Sequence, residues 1–235
     1  MLVDSMASLT VTTSVVALAV AATMPLFSHA MSQADDADPI TGITKPLPPP
    51  RTTGSSSLEE ALARRRSVRA FSSEPLSDGE VGQLLWAAQG ITGEGGRRTA
   101  PSAGALYPLE LYAVTPDGLW HYLPEGHALT LLSDEDLRVE LRSAALDQDA
   151  VGEAPLVVVI TGVVERTEAK YGPQRAGRYV QLEAGHAAHG LLLQAVTLDL
   201  GAVPIGAFVD SEVARILGLP TEETPLYLLP VGRAG

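Results

Sequence analysis

The densest group of chemically active side chains is Arg65-Arg66-Ser67-Val68-Arg69, which carries three guanidinium groups and one hydroxyl within five residues. Guanidinium groups offer fixed, forked donors that match phosphate oxygens, so this segment can form a phosphate pocket. Arginines at the C-terminal end of a helix can also serve only to offset the helix dipole. The segment by itself therefore leaves both interpretations open.

Two segments further along the chain combine glycine, proline and small side chains. The first contains Ser102-Ala103-Gly104 and the second contains Ile205-Gly206. Small residues allow backbone N–H and C=O groups to come within hydrogen-bonding distance of a flat ligand. Taken one at a time, each segment is also explained by ordinary turn chemistry.

Hydrophobic and turn patterns predict the elements that must position these residues. Ser57 with Glu60, and Ser77 with Glu80, form capping boxes at the start of two helices. Pro116-Asp117-Gly118 predicts the turn of a hairpin. The other predicted elements are helices over 134–146, 178–199 and 210–217, and strands over 109–115, 119–123, 156–161, 202–208 and 226–231. Because helices and strands mix without a strict βαβ rhythm, we predict an α+β fold.

The predicted helix over 178–199 is apolar around most of its circumference. Such a helix has to be buried on nearly all sides, either centrally or at a subunit interface. Glu183, His186 and His189 recur on it at a spacing that would supply half of a carboxylate-bridged metal site. That kind of site needs a second Glu-x-x-His helix, which the sequence lacks, so we predict no metal.

Taken in order, these segments resemble the nitroreductase-like flavoproteins, and more narrowly their SagB-type dehydrogenase branch. The resemblance runs from about Leu47 to Arg233 and closes on Pro230-Val231-Gly232-Arg233. The chain departs from the usual pattern at three positions, which fall in two segments. Ala105 stands where many nitroreductases have Asn, and His189-Gly190 stands where the branch usually has Gln-Asn. Flavin binding remains the expectation, and the substrate is left open.

The resemblance implies a three-layer α+β fold with a central mixed sheet flanked by helices. It also implies an intertwined homodimer with FMN bound where the subunits meet. The FMN-binding residues that it implies are Arg65, Arg66, Ser67, Arg69 and Arg233 at the phosphate and ribityl chain, Ser102, Ala103 and Gly104 from the partner subunit, and Ile205 and Gly206 along the flavin ring.

Lys170-Tyr171 resembles the Lys-Tyr pair of azoline oxidases in this branch, which oxidise peptide thiazolines and oxazolines to azoles. Removing hydride from a heterocycle to flavin also requires the loss of a proton, which a lysine with a lowered pKa can take while a tyrosine hydrogen-bonds the substrate. Gly172, Pro173 and Gly177 bracket the pair, so a solvated loop lysine is the alternative.

The predicted function is an FMN-dependent oxidoreductase with Lys170 and Tyr171 as catalytic residues and a small-molecule or modified-peptide substrate. The alternatives are a nitro or quinone reductase that takes hydride from NAD(P)H, and a flavin-binding protein without activity. The net charge of -12 and the pI of about 4.8 argue against nucleic acid as a partner. The sequence contains no cysteine, which excludes disulfides and thiolate chemistry.

Residues 1–30 are set apart because Ser5 to Ala34 contains no Asp, Glu, Lys or Arg. Ser28-His29-Ala30 resembles a signal-peptide cleavage site, whereas Asp4 is atypical of an export signal. The apolar run is short for a membrane anchor, and translation from Met31 is the third alternative. Export or a cytoplasmic location depends on that choice. Residues 31–56 predict a linker or extended arm, which leaves 57–235 as the FMN-binding domain.

Overall fold

The computed structural model describes residues 42–235, and an antiparallel sheet lies at its centre. In chain order the strands are Thr44–Pro46 (β1), Ile91–Gly93 (β2), Arg97–Arg98 (β3), Leu109–Thr115 (β4), Gly118–Leu123 (β5), Ala128–Ser133 (β6), Leu156–Val163 (β7), Gly201–Ala202 (β8) and Glu223–Gly232 (β9). Strands β2 and β3 form a separate ribbon. The other seven form one sheet in the order β1-β6-β5-β4-β7-β9-β8.

Helices cover both faces of the sheet. They are Leu58–Arg64 (α1), Asp78–Gln89 (α2), Arg138–Ala144 (α3), Asp149–Glu153 (α4), Glu165–Tyr171 (α5), Pro173–Thr197 (α6) and Asp210–Leu217 (α7). Leu156 and Val158 of β7 pack into a core with α2 and α6, whereas Val157 and Val159 pack into a second core with α3, α4 and α7. A strand with alternating side chains buried on both faces requires a helical layer on each side. The predicted three-layer α+β fold is confirmed.

The predicted sheet was mixed, with parallel and antiparallel strands, but the observed sheet is almost entirely antiparallel. Every ladder between its strands is antiparallel. Within residues 42–235 parallel pairing is limited to one bridge, between Ser67 and Ala202. That bridge attaches the arginine-bearing segment to the edge of the sheet.

Local sequence signals account for several elements. Ser77 and Glu80 form the predicted capping box at the start of α2. The predicted hairpin is β4–β5, where Gly118 adopts a φ of +129° that favours glycine. The predicted helix over 134–146 is shorter, and the predicted strand over 202–208 is reduced to β8 and a bridge at Ile205.

The long helix α6 begins at Pro173, five residues before the predicted start at Arg178, because proline is favoured in the first turn of a helix. One side of α6 packs on the sheet and α2. Gly190 marks the close approach to α2, since a Cβ there would lie 2.6 Å from the carbonyl oxygen of Ala87. The opposite side is exposed, including Leu182, His186 and His189. The helix is therefore not buried on all sides within one chain.

Part of the predicted arm is attached to the domain. Strand β1 pairs with β6, Leu47 is buried, and the backbone N–H of Arg51 donates to Gln83 at 2.7 Å. The possible signal peptide over 1–30 and the start of the arm over 31–41 lie outside the described residues. Among the helices of residues 42–235, none has the length and apolar character needed to span a bilayer.

Candidate active site

The arginine-bearing segment leaves α1 at Arg65 and runs along the edge of the sheet. Its Val68 N–H donates to Ala202 at 3.1 Å, and Phe71 pairs with Ala234 just beyond β9. A Cβ on Gly201 would lie 2.6 Å from the Cβ of Val68, so glycine permits this close contact. The segment is therefore fixed along its backbone.

The side chains of this segment retain donor capacity. The Arg66 guanidinium donates to the carbonyl oxygens of Ala63 and Arg65, at 2.9 and 2.7 Å. The guanidinium groups of Arg65 and Arg69 are not bonded to any residue within 42–235, and Ser67 is exposed. Free donors on a fixed backbone are what a phosphate site needs.

Arg233 approaches the segment through its backbone, because its carbonyl oxygen accepts from the Ser72 N–H at 3.0 Å. Its guanidinium is paired with Glu74 at 3.2 Å and with Glu80 at 2.9 Å. Burial opposes ionisation of Glu80, but hydrogen bonds from Ser77 and the charge of Arg233 outweigh it and hold the pKa of Glu80 below its ordinary value. The buried Nη1 of Arg233 has no partner among the described residues. One donor group of Arg233 thus has no acceptor among residues 42–235.

The first small-residue segment forms a turn, Ser102–Tyr107, with unusual backbone angles. Gly104, Ala105 and Tyr107 have φ values of 66°, 54° and 47°. The Ser102 hydroxyl closes the turn by accepting from the Tyr107 N–H at 2.9 Å. Left-handed conformations are uncommon outside glycine, and they cluster at functional sites.

The structure brings this turn against the Lys170-Tyr171 pair. A Cβ on Gly104 would lie 2.8 Å from Nζ of Lys170 and 3.1 Å from the hydroxyl oxygen of Tyr171. The pair ends α5, which stops at Gly172 with a φ of 75°. Tyr171 packs on Tyr179 of α6, with ring centroids 4.7 Å apart. Lys170 is exposed, but it lies on a helix rather than on a solvated loop.

A buried polar network under the turn was missed by sequence reasoning. Gln89 donates to the Glu183 carboxylate at 3.3 Å, and Arg98 donates to Gln89 at 3.1 Å. Burial raises the pKa of Glu183, although hydrogen bonds from Ser102 and Gln89 partly oppose this. The available signal was an acidic residue on the apolar face of α6, between Val180 and Ala187.

A second network holds α5 and the far end of the turn. Arg166 donates to the Tyr107 carbonyl oxygen at 3.4 Å and pairs with Glu110 at 2.6 Å. His121 contacts the same carboxylate at 2.9 Å. Burial alone raises the pKa of Glu110, but the hydrogen bonds from His121 and Arg166 outweigh it and leave the pKa below its ordinary value. Arg166 therefore links α5 to the turn.

The second small-residue segment borders a cavity on another side of α6. Ile205 exchanges backbone hydrogen bonds with Leu228 at 2.8 and 3.0 Å. Gly206 lines a cavity of about 350 Å³, shared with Gln181, Ala184, Phe208, Asp210, Pro225, Leu226 and Tyr227. Adjacent residues of a helix project about 100° apart, so Ala184 and Glu183 face different sides. The side chains of Ala184, at the cavity, and Glu183, in the buried network, thus leave α6 in different directions.

A three-layer α+β domain with these motifs in this order defines an oxidoreductase class. The family model described as "Nitroreductase family" matches residues 62–233, and the chain belongs to this family. Members generally use a flavin together with NAD(P)H.

Individual proteins support the assignment. A Methanocaldococcus jannaschii protein named as a nitroreductase is 45% identical over 182 residues, covering 75% of this chain and 90% of the relative. A Ralstonia eutropha crystal structure, also named as a nitroreductase, superposes with a TM-score of 0.75 at 32% identity, covering 84% of this chain and 98% of the other. The Escherichia coli microcin synthetase McbBCD complex with truncated pro-MccB17 has a TM-score of 0.66 at 24% identity, covering 79% of this chain and 75% of that one. This last likeness concerns the fold alone.

Proposed function

We propose that this protein is an FMN-dependent oxidoreductase of the SagB-type branch. It transfers hydride between the flavin and a small-molecule or peptide-derived substrate. The observation that carries the proposal is the contact between Lys170, Tyr171 and Gly104, because it joins a candidate proton acceptor to a segment that the family resemblance places at the flavin.

The residues present fit a bound FMN. Arg65, Arg66, Ser67 and Arg69 would hold the phosphate and ribityl chain, since two of these guanidiniums and the hydroxyl have no partner among the described residues. The unpartnered Nη1 of Arg233 would assist there. The Ile205–Gly206 backbone would lie along the ring system, and a Cβ on Gly206 would meet no atom closer than 4.0 Å. The flavin supplies hydride transfer when bound.

The remaining steps fall to this chain's own side chains. Lys170 Nζ would accept the proton that a heterocyclic substrate loses, and the Tyr171 hydroxyl would hydrogen-bond and orient that substrate. Tyr179 packs on Tyr171 and restricts its ring. No carboxylate within residues 42–235 forms an ion pair with Lys170, so its amine is not committed elsewhere.

We further propose that the site is assembled by two copies of the chain. The resemblance implies that Ser102, Ala103 and Gly104 reach the flavin from the partner, and in one chain Ala184, which lines the Gly206 cavity, projects from α6 in a different direction from Glu183. The exposed face of α6 offers the surface for this pairing: Leu182 on it is 54% exposed. Burial of such apolar area stabilises association.

A peptide-derived substrate, with azoline oxidation as its specific form, is supported by Lys170-Tyr171 and by the fold shared with the microcin synthetase complex. An NAD(P)H-dependent nitro or quinone reductase is the second candidate. It is favoured by the Methanocaldococcus jannaschii relative, which is named as a nitroreductase.

The test is Lys170→Ala in the flavin-loaded protein, with Lys45→Ala as the control because it removes the only other lysine. We expect Lys170→Ala to abolish azoline turnover and leave the bound-flavin spectrum unchanged. Retained turnover would remove the catalytic assignment. The reductase would be favoured if NAD(P)H reduces the flavin and a quinone reoxidises it. Both rates would then be equal in Lys170→Ala and Lys45→Ala. If the flavin-loaded protein shows neither activity, the result favours a flavin-binding protein without catalysis.

A further inference from the structure

The Glu183–Gln89–Arg98 network is unusual because the carboxyl group of Glu183 lies in the interior of the domain. Glu183 is only 2% exposed, and Gln89 donates to its carboxylate. Arg98 donates to the other end of the Gln89 amide and places a cation nearby. A buried carboxylate is unfavourable unless neighbours compensate for lost hydration; Gln89 supplies a hydrogen bond, and the charge of Arg98 opposes the rise in the pKa of Glu183.

This network reaches both ends of the Ser102–Tyr107 turn. At the first end, the Ser102 hydroxyl accepts from the Tyr107 N–H at 2.9 Å, and hydrogen bonding by Ser102 opposes the rise in the pKa of Glu183. At the other end, the Arg98 guanidinium stacks on the Tyr107 ring, 4.7 Å from its centroid. The Arg98 backbone N–H also donates to the Tyr107 hydroxyl at 3.3 Å.

The strained part of the turn lies between these two supports. Gly104 and Ala105 both have left-handed backbones, and the Lys170 amine lies beside Gly104, where a Cβ would be 2.8 Å from Nζ. Strained conformations persist only where the surrounding structure holds them. We propose that Glu183 and Arg98 are positioning residues that hold the Ser102–Tyr107 turn and thereby fix where the Lys170 amine lies. The inference rests on the proposed function only in taking Lys170 as the catalytic lysine.

The two lysines of the chain provide a probe that requires no flavin. Lys170 and Lys45 are the only lysines in the sequence. Lys45 is paired with Asp78 and lies 5.7 Å from the centroid of Trp120, so it is a reference within every sample. The full-length protein is treated with an amine-acetylating ester, and peptide mass spectrometry gives the ratio of Lys170 to Lys45 modification. Hydrogen exchange of the peptide over residues 99–108 is measured in parallel.

The main variant is Glu183→Gln, which keeps the side-chain size and removes the charge. Glu59→Gln, on the exposed side of α1, is the matched control. We expect amides of the turn in Glu183→Gln to exchange about tenfold faster, the effect of losing one hydrogen bond to a charged group. The Lys170-to-Lys45 ratio rises with it, whereas Glu59→Gln matches the wild type. An unchanged ratio and unchanged exchange in Glu183→Gln would overturn the proposal.

Two further variants keep the test decisive if Glu183→Gln fails to fold. Gln89→Met removes the amide that joins Glu183 to Arg98, and Arg98→Lys keeps the cation but loses the stacking on Tyr107. Both are expected to raise the Lys170-to-Lys45 ratio. In the double variant Arg98→Lys/Glu183→Gln, the effects should not add, because both residues act through the Gln89 amide. Additive effects would contradict the proposal.

The outcomes separate this inference from the proposed function. If Lys170→Ala retains turnover, the catalytic assignment fails while the labelling result stands. If the labelling ratio does not move, the positioning role fails whatever the turnover of Lys170→Ala.

Discussion

Replacing Gly104 with alanine tests the contact on which the catalytic assignment depends. Two effects of the substitution can be separated. The backbone φ of +66° costs a non-glycine residue about 1 kcal/mol. In addition, the new Cβ would lie 2.8 Å from Nζ of Lys170, closer than real Cβ contacts allow. Because Nζ is the tip of a flexible side chain, we expect Gly104→Ala to displace Lys170 rather than to unfold the domain.

Gly218→Ala is the matched control for this experiment. Gly218 ends α7 with a φ of +60°, and a Cβ there would meet no atom within 4 Å. Both variants should therefore lose about 1 kcal/mol in urea unfolding. Only Gly104→Ala should lose turnover, by at least about tenfold, since a misplaced catalytic group forfeits the benefit of orientation. Equal turnover in the two variants would refute the argument that Lys170 acts from its position against the turn.

Three further predictions concern stability and the two networks. The pKa of Glu183 is raised by burial, so between the unfolded and the folded pKa the folded protein holds a proton that the unfolded chain has lost. Stability should fall as the pH rises from about 4 through the folded pKa, and urea titrations of Glu183→Gln should lack that fall. Gly190→Ala should destabilise the domain by about 1–3 kcal/mol in the same assay, because its Cβ would meet the Ala87 carbonyl. If Gly190→Ala is as stable as the wild type, α2 and α6 do not pack as closely as described. The pKa of Glu110 is lowered, so its stabilisation is present above the unfolded pKa of about 4 and is lost as the pH falls through the folded pKa. Arg166→Ala should move the Glu110 pKa upward in an NMR titration and reduce that stabilisation, whereas an unmoved pKa would contradict the contact.

Much of the fold follows from local signals in the sequence. The capping box at Ser77 and Glu80 starts α2, and Pro116-Asp117-Gly118 connects two strands of the central sheet. The apolar run that begins at Leu156 is the central strand β7, buried along its whole length. Strand β6 was not predicted, and its partner β1 lies in the proline-rich arm. Pairing between such distant segments leaves no local pattern to detect.

In the candidate site, too, some features could be predicted from the sequence and others depend on contacts between distant residues. The resemblance joined the two glycine-bearing segments to the arginine segment, and the structure adds that Gly104 meets Lys170. The partners of Arg233 and the buried role of Glu183 could not be predicted, because each depends on contacts across about 90 residues or more. Three-residue spacing suggested that Glu183 and the two histidines share a face, but packing of α6 buries the acid and exposes His186 and His189.

The central claim is that the arginine-bearing segment holds the phosphate of FMN. It is tested most directly by titrating FMN and riboflavin into the flavin-stripped protein and its Arg69→Ala variant, with Arg215→Ala on α7 as the control. Riboflavin has the same ring system without the phosphate. We predict that Arg69→Ala weakens FMN binding at least about tenfold, the effect of one charge-assisted hydrogen bond, and leaves riboflavin binding unchanged. FMN binding that is equal in Arg69→Ala and the wild type, or absent from both, would contradict the account.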